Sequence, residues 1–86
     1  MIFQLLMIRD RALNAFQMPV VSVRTVAEGI RIFSDECKRS GSAINSHPSD
    51  YGLVLLGTLD DDTGAIVPGA PTVVARAQDF VSSQAS

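Results

Sequence analysis

Two stretches of this chain are apolar on both sides of a strand, and they set the fold. Ile2 to Ile8 (IFQLLMI) places Ile2, Leu6 and Ile8 on one face and Phe3, Leu5 and Met7 on the other. Gly52 to Leu59 (GLVLLGTL) is again apolar on both faces. A strand with one wetted face alternates polar and apolar residues, so a run buried on both sides belongs inside a sheet. Ala15 to Val23 reads as a further extended piece, and Pro19 within it cannot donate to a ladder, which marks an edge or bulged strand. Ala65 to Val67 is a fourth short piece before Pro68-Gly69-Ala70-Pro71 breaks the chain.

Between these runs lies one clear helix, TVAEGIRIFSDECKRSG. Thr25 followed three residues later by Glu28 is a capping box. Val26, Ile30, Phe33 and Cys37 fall within about 60° of one another at 100° per residue, a narrow apolar stripe. Asp35 is spaced to pair with Arg31 and Arg39 on the opposite side. Lys38 and Arg39 suit the C-terminal dipole, and Gly41 ends the helix. Residues 40–50 read as a polar loop. Residues 72–81 (TVVARAQDFV) match a helical stripe at Val73, Val74, Ala77, Phe80 and Val81, although their β-branched start favours a strand. The pattern predicts a short helix there. The expected architecture is α+β, one domain over residues 1–81. It has a small antiparallel sheet of about four strands, one main helix packed on it, and a short C-terminal helix. Residues 82–86 (SSQAS) read as a frayed tail.

Bulk properties narrow the function. An 86-residue chain has a thin core, and its one cysteine rules out an internal disulfide. Small scaffolds without such staples gain stability by association, and 47% hydrophobic against 19% charged residues leaves little polar surface to cover a monomer. A homodimer is expected. Ile32 projects among Glu28, Asp35 and Arg39 on the helix's polar side, which makes it the candidate interface residue. The net charge of −2 counts against a nucleic-acid binder of the usual basic kind, so any such contact needs a local patch. The N-terminus lacks the basic start and small-residue cleavage site of a signal peptide, and no run reaches the ~18 apolar residues of a membrane span. A soluble intracellular protein is expected, with no membrane partner.

Four constellations carry candidate chemistry. Asp62-Thr63-Gly64-Ala65 matches the signature of retroviral-type aspartic proteases, which share one proton between two carboxylates from two subunits. Here Asp60 and Asp61 precede Asp62 and would load such a dyad with charge. Only residues 65–86 follow Gly64, too few for a flap and the second half of a subunit. A hairpin tip is the better reading, with Gly64 supplying positive φ. Consecutive acids also lack the spacing of a calcium loop, so no metal or cofactor is expected. Cys37 falls within the apolar stripe as a small buried hydrophobe, and His47 precedes a proline in a loop, so nucleophilic catalysis is not expected. Arg9, Arg11, Arg24 and Arg76 have aromatic company in Phe3, Phe16 and Tyr51, the elements with which proteins hold single strands by stacking. The residues alone favour the plainer assignment of core aromatics and solubilising arginines.

The stretch HPSDYGLVLLGTLDDDTGAIVP, with its flanks, resembles the small nonstructural protein of gokushoviruses and related microviruses, tailless phages with a circular single-stranded DNA genome. The resemblance rests on His47, Pro48, Asp50 and Tyr51, followed by Leu56, Gly57, Leu59, Asp60, Asp61, Thr63 and Gly64. AFQMPVVSVRTVAEGIRIF matches upstream. Asp62 and Gly52 depart from the pattern. The resemblance implies a non-enzymatic role in single-stranded genome production in the host bacterial cytoplasm, with DNA or a replication protein as partner, and carries over no catalytic residue. The alternative is an adaptor that binds a viral or host factor without touching DNA. Both motifs read physically as turns.

Overall fold

The structure, a computed structural model, describes residues 1–81. Four strands, β1 (Ile2–Asp10), β2 (Ala15–Val23), β3 (Tyr51–Asp60) and β4 (Ile66–Arg76), form one antiparallel sheet in the order β2-β1-β3-β4. The helix α1 (Val26–Lys38) packs on one face, joined by the short helices α2 (Ala43–Ser46) and α3 (Gln78–Val81) and a 3-10 turn at Pro48–Asp50. The two doubly apolar runs are the two central strands. Leu6 and Met7, neighbours in β1 on opposite faces, are both buried, and Leu6 alone of the two belongs to the helix-side core. The predicted α+β architecture is therefore the observed one. The expected frayed tail, residues 82–86, lies outside the described residues.

That core unites Leu6, Val23, Phe33, Cys37, Ile44, Leu53, Ala77 and Val81. Thr25 caps α1, its Oγ1 accepting from the Glu28 N–H at 3.2 Å. From the predicted stripe Phe33 and Cys37 are buried, while Val26 and Ile30 are half-buried. Gly29 was outside that stripe, yet it is buried and brings the helix backbone close to Leu6 and Val23. Phe80 of α3 meets the Phe33 ring edge-on, with centroids 6.2 Å apart at 85°.

Four local expectations are corrected. Asp35 makes none of the ion pairs found among the described residues; Arg39 instead donates from Nε to the two Glu36 carboxylate oxygens at 3.0 and 3.1 Å. Arg39 sits at the helix C-cap in an extended conformation, so the four-residue spacing to Asp35 no longer aligns them. Residues 40–50 hold two short helical turns rather than an open loop. Ser42 caps the first, Asn45 Nδ2 donates to the Cys37 carbonyl at 2.9 Å, and Ile44 drops into the core. These contacts satisfy carbonyls left free at the end of α1.

Strand β4 also runs unbroken from Ile66 through Pro68 and Pro71 to Arg76. It is a sheet edge, where N–H groups pointing outward need no partner and prolines are tolerated. Its pairing steps from Leu55↔Thr72 to Gly57↔Pro68, so residues 69–71 oppose Leu56 alone. The predicted helix over 72–81 is accordingly strand to Arg76 and helix from Gln78. β2 is both edge and bulged, as Pro19 foretold: its register jumps from Leu6↔Val21 to Ile8↔Gln17, and the Met18–Pro19 peptide is cis.

Candidate functional site

Register partners in an antiparallel sheet share a face, and this places four residues in one row. Phe16 of β2 pairs with Arg9 of β1, Arg9 with Gly52 of β3, and Gly52 with Arg76 of β4. The row crosses the whole sheet on the face opposite α1, because Leu6 and Ile8 of the same strand β1 face the helix-side core. The Arg9 guanidinium lies over the Phe16 ring, 4.8 Å from its centroid, and its Nη2 donates to Asn14 Oδ1. Stacking and hydrogen bonding on one side fix this side chain before any ligand arrives.

Arg9, Arg11 and Arg76 together line a groove of about 390 Å³, with Gly52, Val54 and Val73 among its other walls. Three of the chain's seven cations and none of its nine acids line it. The local balance is thus opposite in sign to that of the whole chain, and such a patch attracts an anion.

The His47-Pro48-Ser49-Asp50-Tyr51 segment is what holds the arginines in place. Its 3-10 turn closes with the Asp50 N–H donating to the His47 carbonyl at 3.0 Å. The Asp50 carbonyl accepts from the Arg11 N–H at 2.8 Å, and the Tyr51 carbonyl accepts from the Ala77 N–H at 3.1 Å. One turn therefore pins the backbone of Arg11 and the residue after Arg76. Asp10, buried beside it, shapes the β1–β2 turn by accepting from the N–H groups of Ala12 at 2.9 Å and Leu13 at 3.3 Å. Asn14 completes that turn with φ of 53°, a conformation that asparagine tolerates well.

Of the sequence candidates, Arg9, Arg11, Arg76 and Phe16 converge. Arg24 does not. It follows Val23, which pairs with Gln4, which pairs with Thr58, six residues along β3 from Gly52 and about 20 Å away at strand rise. Tyr51 stands at the groove margin, but its register partner is Asp10, on the helix side, where the ring packs against the core. Burial, reinforced by the Asp10 carboxylate, holds its hydroxyl pKa above the ordinary 10.0 despite a hydrogen bond with Gln17 that lowers it. Sequence reasoning missed Gly52 and Asn14. Gly52 gives no signal until the register is known, whereas an asparagine between two extended runs is a turn signal.

The sequence of the family described as Phage ORF5 protein matches residues 3–80. The chain belongs to that family. No curated protein and no solved structure matches it. The matched span includes the whole arginine row and both turn motifs.

The acidic motif is the β3–β4 hairpin tip. The Gly64 N–H donates to the Asp60 carbonyl at 2.7 Å, the Asp62 N–H to Asp60 Oδ1 at 2.9 Å, and Gly64 has φ of 76°. The three consecutive carboxylates converge, with ligand atoms within 4.8 Å of one another. They converge on the Met1 ammonium, which donates to Asp61 at 2.9 Å and Asp62 at 3.3 Å and whose pKa these bonds raise. Cys37 is buried, and burial pushes its thiol up to about 11. No described helix is long and apolar enough to cross a membrane.

Proposed function

We propose that this chain is a non-enzymatic nonstructural protein of a small single-stranded DNA phage of the gokushovirus and microvirus type. It acts in production of the single-stranded genome in the host cytoplasm by holding single-stranded DNA. The observation that carries this reading is the groove in which Arg9, Arg11 and Arg76 gather beside the Phe16 stack, on a chain whose overall charge is negative. Arginine beside an aromatic ring is suited to a backbone of phosphates carrying planar bases. The family membership supports a phage setting, and the order of the His-Pro-x-Asp-Tyr and Asp-Asp-x-Thr-Gly motifs supports the narrower viral group.

Titration of a fluorescent oligothymidylate at several salt concentrations tests it. Three phosphate contacts give a slope of about −2 in log affinity against log salt. Changing Arg9, Arg11 and Arg76 together to Gln removes most of the slope. Absence of binding at low salt, or an unchanged slope in the triple variant, overturns the assignment.

A second reading, an adaptor for a viral or host protein, draws on a different surface. Ile32 is 51% exposed beside an apolar groove of about 250 Å³ lined by Ile8, Val21, Phe33 and Leu53. We assign this surface to a homodimer contact, in keeping with the thin core. An adaptor replaces the DNA reading if a protein partner is lost on mutation there while DNA never binds.

A further inference from the structure

We propose that the strip above Gly52, between the guanidinium groups of Arg9 and Arg76, is a subsite for one unpaired nucleobase, so that the groove selects single strands over duplex. The proposal rests on the DNA reading above and adds to it the part of the ligand that this strip holds. Its starting point is a glycine without a reason in the fold. Glycine in a central strand is unfavourable and marks a bulge, a bend, or a place where something approaches closely. Gly57 has such a reason: a Cβ there falls 2.3 Å from the Val67 carbonyl oxygen. Gly52 does not. Its φ is not positive, and a Cβ on it meets nothing nearer than the Ala75 carbonyl oxygen at 3.4 Å and Val73 Cγ1 at 3.8 Å.

Gly52 lies buried at the floor of the groove, and its register neighbours set the width of the strip above it. Arg9 and Arg76 are both register neighbours of Gly52, so two inter-strand steps, about 10 Å, separate their backbones. On the other side of Arg9, one step away, the Phe16 ring lies 4.8 Å from the guanidinium carbon. A planar ring over Gly52 would sit one step away in the opposite direction. It would lie within the ~6 Å over which a guanidinium and an aromatic face attract, and equally within reach of Arg76. Arg9 would then be stacked on both faces, by Phe16 and by the base. Val73, 56% exposed, offers an apolar edge to the same ring. Stacking uses only the faces of the Arg9 and Arg76 guanidinium groups, so their remaining N–H edges, with Arg11 at the margin, stay directed at phosphates. A paired base inside a duplex cannot enter, since both of its faces are already stacked.

The experiment compares oligothymidylate, an abasic deoxyribose-phosphate strand of equal length, and duplex DNA by fluorescence anisotropy, with the intact chain and with Gly52→Val. Base stacking contributes about ten-fold or more per base. The expected result is thymidylate binding at least about ten-fold tighter than the abasic strand or duplex. Gly52→Val should erase that preference without lowering the melting temperature. If Gly52→Val does not fold, Gly52→Leu and Gly52→Ala give a size series, and loss of preference should follow side-chain volume. Equal affinity for thymidylate and abasic strands, with the salt slope intact, overturns the base subsite and leaves the phosphate-binding reading standing. No binding of any strand overturns both.

Discussion

Replacing either of two glycines in β3 with alanine should have opposite effects, and the difference can be worked out from single contacts. At Gly57 the added Cβ would lie 2.3 Å from the Val67 carbonyl oxygen, 3.2 Å from its carbon and 3.1 Å from Pro68 Cα. All three are backbone atoms, so no rotamer change relieves the contact. The β4 backbone must retreat by about 1 Å to restore ordinary van der Waals distance. The retreat strains the register pairs Gly57↔Pro68, Thr58↔Val67 and Leu59↔Ile66. Overpacking of this kind costs about 1–3 kcal/mol. Alanine recovers some of this by restricting the unfolded chain, by about 0.4–1 kcal/mol. The net expectation for Gly57→Ala is a loss of about 1–2 kcal/mol. At Gly52 the nearest atom is at 3.4 Å and the backbone suits any residue, so only the unfolded-state term remains. Gly52→Ala should be neutral or up to about 1 kcal/mol stabilising. Urea unfolding reads both as midpoint shifts at constant slope, and amide exchange at Thr58 and Val67 should quicken for Gly57→Ala alone. Equal stability of the two variants would refute the reasoning, because it predicts a difference from the contact distances.

Phe33→Ala should cost about 3–5 kcal/mol by chemical denaturation, since the ring is 2% exposed and also forfeits its edge-on contact with Phe80. Native Cys37 should react slowly with thiol reagents until urea exposes it; burial raises its pKa from 9.0 to about 11, so the folded state holds the proton more tightly and stability should fall as pH rises from 9 to 11. Rapid native labelling, or a flat stability profile across that window, would contradict the placement. Asp62→Asn should shift stability by less than about 0.5 kcal/mol, because its contact with the Met1 ammonium is a surface pair and its side chain is 82% exposed; loss of DNA or partner binding from that change with the fold intact would instead assign the tip a functional role. Sedimentation at micromolar concentration should find a dimer that Ile32→Lys weakens, and a clean monomer indifferent to that change would remove Ile32 from any interface.

Local signals carried most of the fold. Thr25, Glu28 and the Phe33–Cys37 stripe act within one helix, so the helix was legible without knowing its surroundings. The two central strands announced themselves because burial on both faces leaves no polar alternation. What failed depended on position in the sheet. Pro68 and Pro71 break a strand in general, and only β4's place at the edge excuses them. Ile44 looked like one apolar residue in a polar loop, yet the space at the end of α1 draws it into the core. The candidate site divided along the same line. Arg9 beside Phe16 follows from the β1–β2 hairpin, but the exclusion of Arg24 needs the strand register, and the turning of Tyr51 toward the helix needs the parity of β3.

Net charge hides the arginine groove for a geometric reason. A total of −2 weighs Asp60, Asp61 and Asp62 equally with Arg9, Arg11 and Arg76, as though all acted at one point. The acids occupy one end of β3 and the groove the other, since Tyr51 and Asp60 begin and end that strand. Nine steps along a strand span about 30 Å, which is some three to four Debye lengths at physiological salt, where the length is about 8 Å. Screening at that distance removes most of the repulsion the tip would exert on a phosphate in the groove. The tip is also partly neutralised by the Met1 ammonium lodged among its carboxylates. Closer to the groove, the Asp10 carboxylate is engaged with two backbone N–H groups of its own turn. A phosphate at the arginine row therefore meets three guanidinium groups in the groove wall, while Asp10, Asp50 and Asp79 are the acids nearest to it in the chain. An elongated molecule, 47 Å in its longest dimension, lets one small acidic chain present a cationic site at one end of its sheet.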